Sequence, residues 1–195
     1  MKEAPAVFEK MLKEHMDCFK TLDGLRGPIN EAAHTILSAL MAGKKILICG
    51  NGGSASDAQH FAAEIVGRFT RERKAWPAIA LTTDTSILTA VANDYGYDTI
   101  FARQVEGLGQ PDDVLIGIST SGNSLNVIKA IEQAQKNDMA TVALTGNNGG
   151  IMSEAVDTAV IVPTKITARI QEAHIFILHL WADIAESALE ANEEP

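Results

Sequence analysis

The stretch ICGNGGSASDAQHFAAEIVGRF, residues 48–69, decides how this chain is read. An apolar run enters a cluster of glycines and a helical pattern leaves it, the signature of a strand, a tight turn and a helix. Backbone N–H groups and the positive end of the helix then point at one spot, which suits an anion. Gly50-Asn51-Gly52-Gly53-Ser54-Ala55 satisfies the dinucleotide pattern G-x-G-x-x-(G/A). A dinucleotide site also needs an acid about 20 residues on, at the end of the second strand. That distance falls in the charged loop Thr70-Arg71-Glu72-Arg73-Lys74, and the acid that follows the second strand, Asp84, comes too late. No Gly-Lys-(Ser/Thr) follows either, so a nucleotide is disfavoured. The loop reads as a cradle for another phosphate or for sugar hydroxyls, with Ser54 as the helix cap.

The pattern around this unit repeats. Strands are predicted at Lys45–Cys49, Ala78–Leu81, Val114–Ile118, Thr141–Leu144 and Ala159–Val162, with helices at about 54–69, 85–107, 123–137, 150–155 and 167–190. Continuous apolar strands separated by helices predict an α/β fold, a doubly wound five-stranded parallel sheet. Before it, residues 1–42 read as a helical hairpin: one helix over 3–22, a break at Gly24–Pro28, and a second helix to about Ala42. The sheet core is expected over 43–166, and a long helix with an acidic tail, Glu190–Pro195, over 167–195, the tail solvated and frayed. The hairpin and last helix are surplus to a five-stranded core. Their apolar residues, Ile36, Leu37, Leu40, Ile175, Phe176, Leu178, Leu180 and Trp181, call for a cover, and another subunit is the expected one.

The chain of 195 residues is 46% hydrophobic, enough for one domain with a sizeable core. A net charge of −9 argues against a nucleic-acid partner. No signal pattern opens the chain and no apolar run suits a bilayer span, so a cytoplasmic protein without membrane attachment is expected. Cys18 and Cys49 fit no metal or redox spacing and are expected to be buried and reduced.

A second loop, GISTSGNSLNVIKA at 117–130, repeats the physics of the first. Ser119, Thr120, Ser121 and Ser124 place four hydroxyls at a strand-to-helix turn, more than one cap requires, and predict a phosphate nest of neutral donors. Two such loops at carboxyl ends of strands in one sheet face one crevice. On the helix leaving the first loop, His60 and Glu64 share a face at i and i+4. The last helix carries Gln171, Glu172, His174 and His179 among apolar residues in ARIQEAHIFILHL, 168–180. Each histidine alone reads as a core residue with a hydrogen-bond partner. Beside a phosphate loop and the His60/Glu64 pair, they read as tools for moving a proton between adjacent carbons, or as zinc ligands. Gln171 and His179 lie about 12 Å apart along one regular helix, so a shared metal requires a later helix start or two subunits.

These residues resemble the phosphoheptose isomerases of the sugar isomerase (SIS) domain superfamily over nearly the whole chain. The likeness is dense in CGNGGSASDAQHFAAE, AVANDYGYDTIFARQVE, DVLIGISTSGNS and RIQEAHIFILH. It implies one SIS domain with a flavodoxin-like sheet over 1–195, and a homotetramer with active sites at subunit interfaces and one zinc per subunit. It implies Glu64 and His179 as the catalytic pair, and His60, Glu64, Gln171 and His179 as zinc ligands. The implied substrate contacts are Asn51, Gly52, Gly53, Glu64, Asn93, Asp94, Ser119, Thr120, Ser121, Ser124 and Gln171. Asn93-Asp94 by itself reads as a helix-end turn. Ala168 stands where some members carry an acid.

The implied reaction interconverts sedoheptulose 7-phosphate and D-glycero-D-manno-heptose 7-phosphate through an enediol, at the start of ADP-heptose synthesis for surface polysaccharide. The principal alternative is a non-catalytic SIS protein that binds the replication initiator and lacks the acid–base residues; Glu64 and His179 favour the enzyme. A sugar-phosphate-sensing module and an isomerase of five-carbon sugar phosphates are further alternatives.

Overall fold

The computed structural model describes residues 4–193, with side chains through Ala188; of the tail expected to be frayed, residues 190–193 continue the last helix and 194–195 lie outside the described residues. Five strands, β1 (Ile46–Gly50), β2 (Ala78–Ala80), β3 (Val114–Ser119), β4 (Ala140–Gly146) and β5 (Thr158–Val162), pair in parallel in the order β2-β1-β3-β4-β5. The central strands are the continuous apolar runs: β1 and β3 are buried along their whole length. The edge strand β5 alternates between buried and half-buried residues, as an edge covered more fully on one face does. The order reverses between β1 and β3, so the two loops rich in glycine and serine leave the sheet at its switch point, where open α/β sheets hold ligands.

The helices are α1 (Ala4–Thr21), α2 (Arg26–Met41), α3 (Gly53–Val66), α4 (Thr85–Tyr95), α5 (Ile100–Leu108), α6 (Leu125–Lys136) and α7 (Thr167–Glu193). Alternate strand residues feed two cores. Ile46, Ile48, Ile116, Val142 and Leu144 pack with α2, α3 and α7, whereas Leu47, Cys49, Leu115 and Ala143 pack with α5 and α6. Both cysteines are free and buried, as expected. No helix among the described residues is long and apolar enough to cross a membrane.

Three expectations change. The helix expected over 85–107 is two, because Gly96 adopts φ +92°, a left-handed conformation that stops α4 before a short turn leads into α5. The helix expected at 150–155 is a single 3₁₀ turn, Ile151–Glu154. And α2 and α7 are not surplus: Ile36, Leu40, Leu178 and Trp181 are buried against the sheet and each other. Trp181 donates its indole N–H to the Ile29 carbonyl at 3.0 Å and meets Phe61 of α3 edge-on at 6.3 Å. Burying each of these rings stabilises the layer by roughly 2–3 kcal/mol, which locks α7 beside α3. Exposed apolar surface remains chiefly on α1, where Val7, Met11, Leu12 and Met16 are about half exposed and Phe8 is 66% exposed, and on α7 at Phe176, 44% exposed, as expected of it.

Candidate active site

α3 and α7 run side by side, and one pair of contacts fixes their register. The His60 and His179 Nε2 atoms stand 3.2 Å apart, and Glu64 Oε1 is 3.0 Å from His60 Nε2. The ligand atoms of His60, Glu64 and His179 all lie within 4.8 Å of one another. His60 Nε2 holds at most one proton yet faces two partners. A cation among the three satisfies all of them, since tetrahedral ligands at about 2.0–2.1 Å lie about 3.3 Å from each other. Two imidazoles and one carboxylate are also the donor set of catalytic zinc sites that keep a position open for substrate. The three residues fit a metal.

The cluster is braced from below. Phe69 stacks on the His179 ring at 5.3 Å. The backbone N–H groups of Phe69, Thr70 and Arg71 all donate to the Glu186 carboxylate, at 2.8, 2.9 and 2.8 Å. Burial opposes the charge of Glu186, but these three donors and Arg73 outweigh it and hold its pKa down at about 2. Arg73 in turn donates to the carbonyls of Glu64 and Ile65 at the end of α3 and lies over the Trp76 ring at 4.0 Å. The loop that failed as a ribose-binding strand end is therefore a clamp joining α3, its own backbone and α7.

At the other end of the α3–α7 pair sits the nest. Ser119, Thr120, Ser121, Ser124, Asn51, Ser54 and Gln171 line a cavity of about 140 Å³. Ser124 occupies the cap position of α6 but makes no side-chain cap; its hydroxyl bonds Ser119 Oγ at 2.8 Å. The surplus of hydroxyls is thus not spent on capping. Gly52, at φ +58°, is the residue before α3, so the cap is Gly52 and not Ser54, which is buried beneath the turn. A Cβ on Gly53 would lie 2.2 Å from Gln171 Nε2, so glycine makes room for that amide.

The comparisons with known proteins agree over this architecture. The SIS domain family model matches residues 12–146. A phosphoheptose isomerase of Helicobacter pylori is 53% identical over 92% of this chain and 94% of its own length; one of Nitratiruptor is 52% identical over 92% and 97%. The chain belongs to the phosphoheptose isomerase family. Among solved structures, the Neisseria gonorrhoeae phosphoheptose isomerase superposes with a TM-score of 0.85 at 46% identity, covering 95% of this chain and 98% of that one. The Francisella tularensis phosphoheptose isomerase superposes with a TM-score of 0.91 at 39% identity, covering 94% and 98%.

Against the positions that the family resemblance implies, the structure brings together His60, Glu64 and His179, and separately Asn51, Gly53, Ser119, Thr120, Ser121, Ser124 and Gln171, with Gly52 exposed at the turn before α3. It does not bring Gln171 to the His60, Glu64 and His179 side chains of its own chain. α7 begins at Thr167, so a later helix start is excluded and Gln171 stays two turns away, in the nest. Asn93 and Asp94 lie exposed at the end of α4, their side chains bonded to each other at 2.8 Å. His174 is a core histidine with a hydrogen-bond partner, as each histidine alone was expected to be: fully buried, it bonds the Thr145 carbonyl at 3.0 Å, and burial lowers its pKa to about 4. Glu172 pairs with His15 and Arg169 away from the cluster.

One group escaped the sequence reading. Asp57, one turn before His60 on α3, has a buried Oδ2 without a partner among the described residues. Burial raises its pKa to about 6, with His60 pulling the other way. Its i, i+3 spacing to His60 was the signal available in the sequence.

Proposed function

We propose that this chain is an aldose–ketose isomerase that interconverts sedoheptulose 7-phosphate and D-glycero-D-manno-heptose 7-phosphate. The observation that carries the reading is the His60/Glu64/His179 cluster on the same helix pair as a neutral phosphate nest. The nest hydroxyls and amides hold the phosphate, and the N-terminus of α6 adds its dipole. Glu64 takes the proton from the carbon beside the carbonyl while the carbonyl oxygen gains one from water, giving the enediol. His179 then protonates the former carbonyl carbon as the neighbouring hydroxyl loses its proton to water, and both side chains re-equilibrate with solvent; in the reverse direction the roles exchange. One zinc per subunit, held by His60, Glu64 and His179, supplies Lewis-acid polarisation of the carbonyl oxygen when bound. The initiator-binding alternative has no support among these relatives, all of which carry the isomerase name.

The reading extends to assembly. Gln171 is the fourth ligand that the family resemblance implies, and its distance from the other three favours a composite site, in which the cluster of one copy faces Gln171 and the nest of another. The half-exposed apolar face of α1 supports burial against further copies, as a homotetramer provides. The whole chain then acts as one SIS domain. A cytoplasmic location fits its two free, buried thiols.

The test is direct. Purified protein is incubated with sedoheptulose 7-phosphate, with and without added zinc, and aldose formation is followed. Turnover is expected; no turnover under either condition, with the substrate shown to bind, overturns the reading.

A further inference from the structure

The Asn51 amide has more hydrogen-bond partners than a loop residue needs. Its Oδ1 accepts from Asn126 Nδ2 at 2.9 Å and from the Tyr97 hydroxyl at 3.0 Å. Its Nδ2 donates one hydrogen to Asn126 Oδ1 at 2.8 Å. An amide oxygen has two lone pairs and an amide nitrogen two hydrogens. Both acceptor positions of Asn51 are therefore filled, and the one hydrogen-bonding position without a partner among the described residues is an N–H. Asn51 lines the cavity shared with Ser119, Ser121, Ser124 and Gln171.

The two partners come from different parts of the fold. Asn126, in the first turn of α6, is 3% exposed, and its amide meets Asn51 through both its oxygen and its nitrogen. Tyr97 follows the left-handed turn at Gly96 that ends α4, where Thr99 bonds the Gly96 carbonyl through both its hydroxyl and its N–H. That turn carries a ring that is 60% exposed across to the first glycine loop, 46 residues away.

We propose that Tyr97 and Asn126 are positioning residues that hold Asn51 as a dedicated hydrogen-bond donor to the oxygens of the bound sugar phosphate. An amide free to rotate presents its oxygen to an anion as readily as its nitrogen, and the oxygen repels it. Filling the oxygen from two sides removes that orientation before the ligand arrives, which strengthens binding without adding a contact to the ligand. The inference rests on the isomerase reading for the identity of the ligand, but the geometry requires only an oxyanion.

The experiment measures equilibrium binding of sedoheptulose 7-phosphate by calorimetry, alongside KM and kcat, for the wild type, Tyr97→Phe, Asn51→Ala and the double variant. Tyr97→Phe keeps the ring and removes one neutral hydrogen bond. It is expected to weaken binding and raise KM about 3- to 10-fold, with kcat within about twofold of wild type. In the Asn51→Ala background the same change is expected to add nothing, because Tyr97 acts through Asn51. Asn51→Asp, which keeps both acceptor contacts but replaces the donor with a charged oxygen, is expected to weaken binding further than Asn51→Ala does. Unchanged binding in Tyr97→Phe, or an equal loss with and without Asn51, overturns the proposal. A wild type that binds the sugar phosphate but does not turn it over leaves the binding comparison intact and overturns only the isomerase reading.

Discussion

The Nε2 atoms of His60 and His179 meet at 3.2 Å across 119 residues of chain. The contact exists because α3 and α7 lie side by side, joined by the Phe61–Trp181 pair and by the Arg73–Glu186 clamp. It places Glu64 and His179, the two groups proposed to move the proton, within one cluster.

Glu64→Gln and His179→Asn are each expected to lower kcat by about 10²–10⁴ while the fold persists, since neither side chain belongs to the buried core. Calorimetry should still detect substrate bound at the nest. Full activity in Glu64→Gln would discard the mechanism and leave the fold intact.

Zinc is expected to raise the melting temperature of the metal-stripped protein. Stabilisation follows the ratio of free ion to Kd, about 2.7 kcal/mol at a hundredfold excess. His60→Ala should abolish the shift, because it removes the ligand that faces both of the others. An equal shift in both proteins would place the ion elsewhere.

A composite site between copies predicts complementation. Gln171→Ala and His179→Ala proteins, each inactive, should recover activity when unfolded together and refolded as a mixture. The rate should exceed the sum of the two parents refolded alone. No recovery, with mixed oligomers demonstrated, would confine each site to one chain.

Acid stability should fall in two phases. His174 has a folded pKa of about 4, below its ordinary value of 6.5, so it stabilises the fold above pH 6.5 and loses that contribution as pH falls towards 4. Glu186, held at about 2 against an ordinary 4.5, contributes above pH 4.5 and loses its share as pH falls towards 2. Each loss is on the order of 3 kcal/mol. Asp57 acts oppositely: its pKa of about 6 lies above the ordinary 3.8, so its contribution is present at low pH and lost as pH rises through 6. Denaturant midpoints measured from pH 7 to pH 3 for wild type and His174→Gln should differ in the first phase alone; identical curves would remove His174 as its source.

The sequence by itself determined the parallel sheet, the two loops at its carboxyl edge and the pairing of His60 with Glu64. Each is a local pattern: continuous apolar runs, glycines and hydroxyls at strand ends, an i, i+4 spacing. The break at Gly96 was less legible, because glycine within a helical pattern does not announce its φ. Contacts between distant segments were not legible from local pattern; only the family resemblance placed His179 with His60 and Glu64 in advance. The tertiary structure decided that His174 fills the core, that Gln171 lies in the nest of its own chain rather than beside that cluster, and that Asp57 Oδ2 has no partner among the described residues. Residues on one helix share its periodicity whatever they touch. What each one touches is set by the face that packing against α3 and the sheet turns it towards.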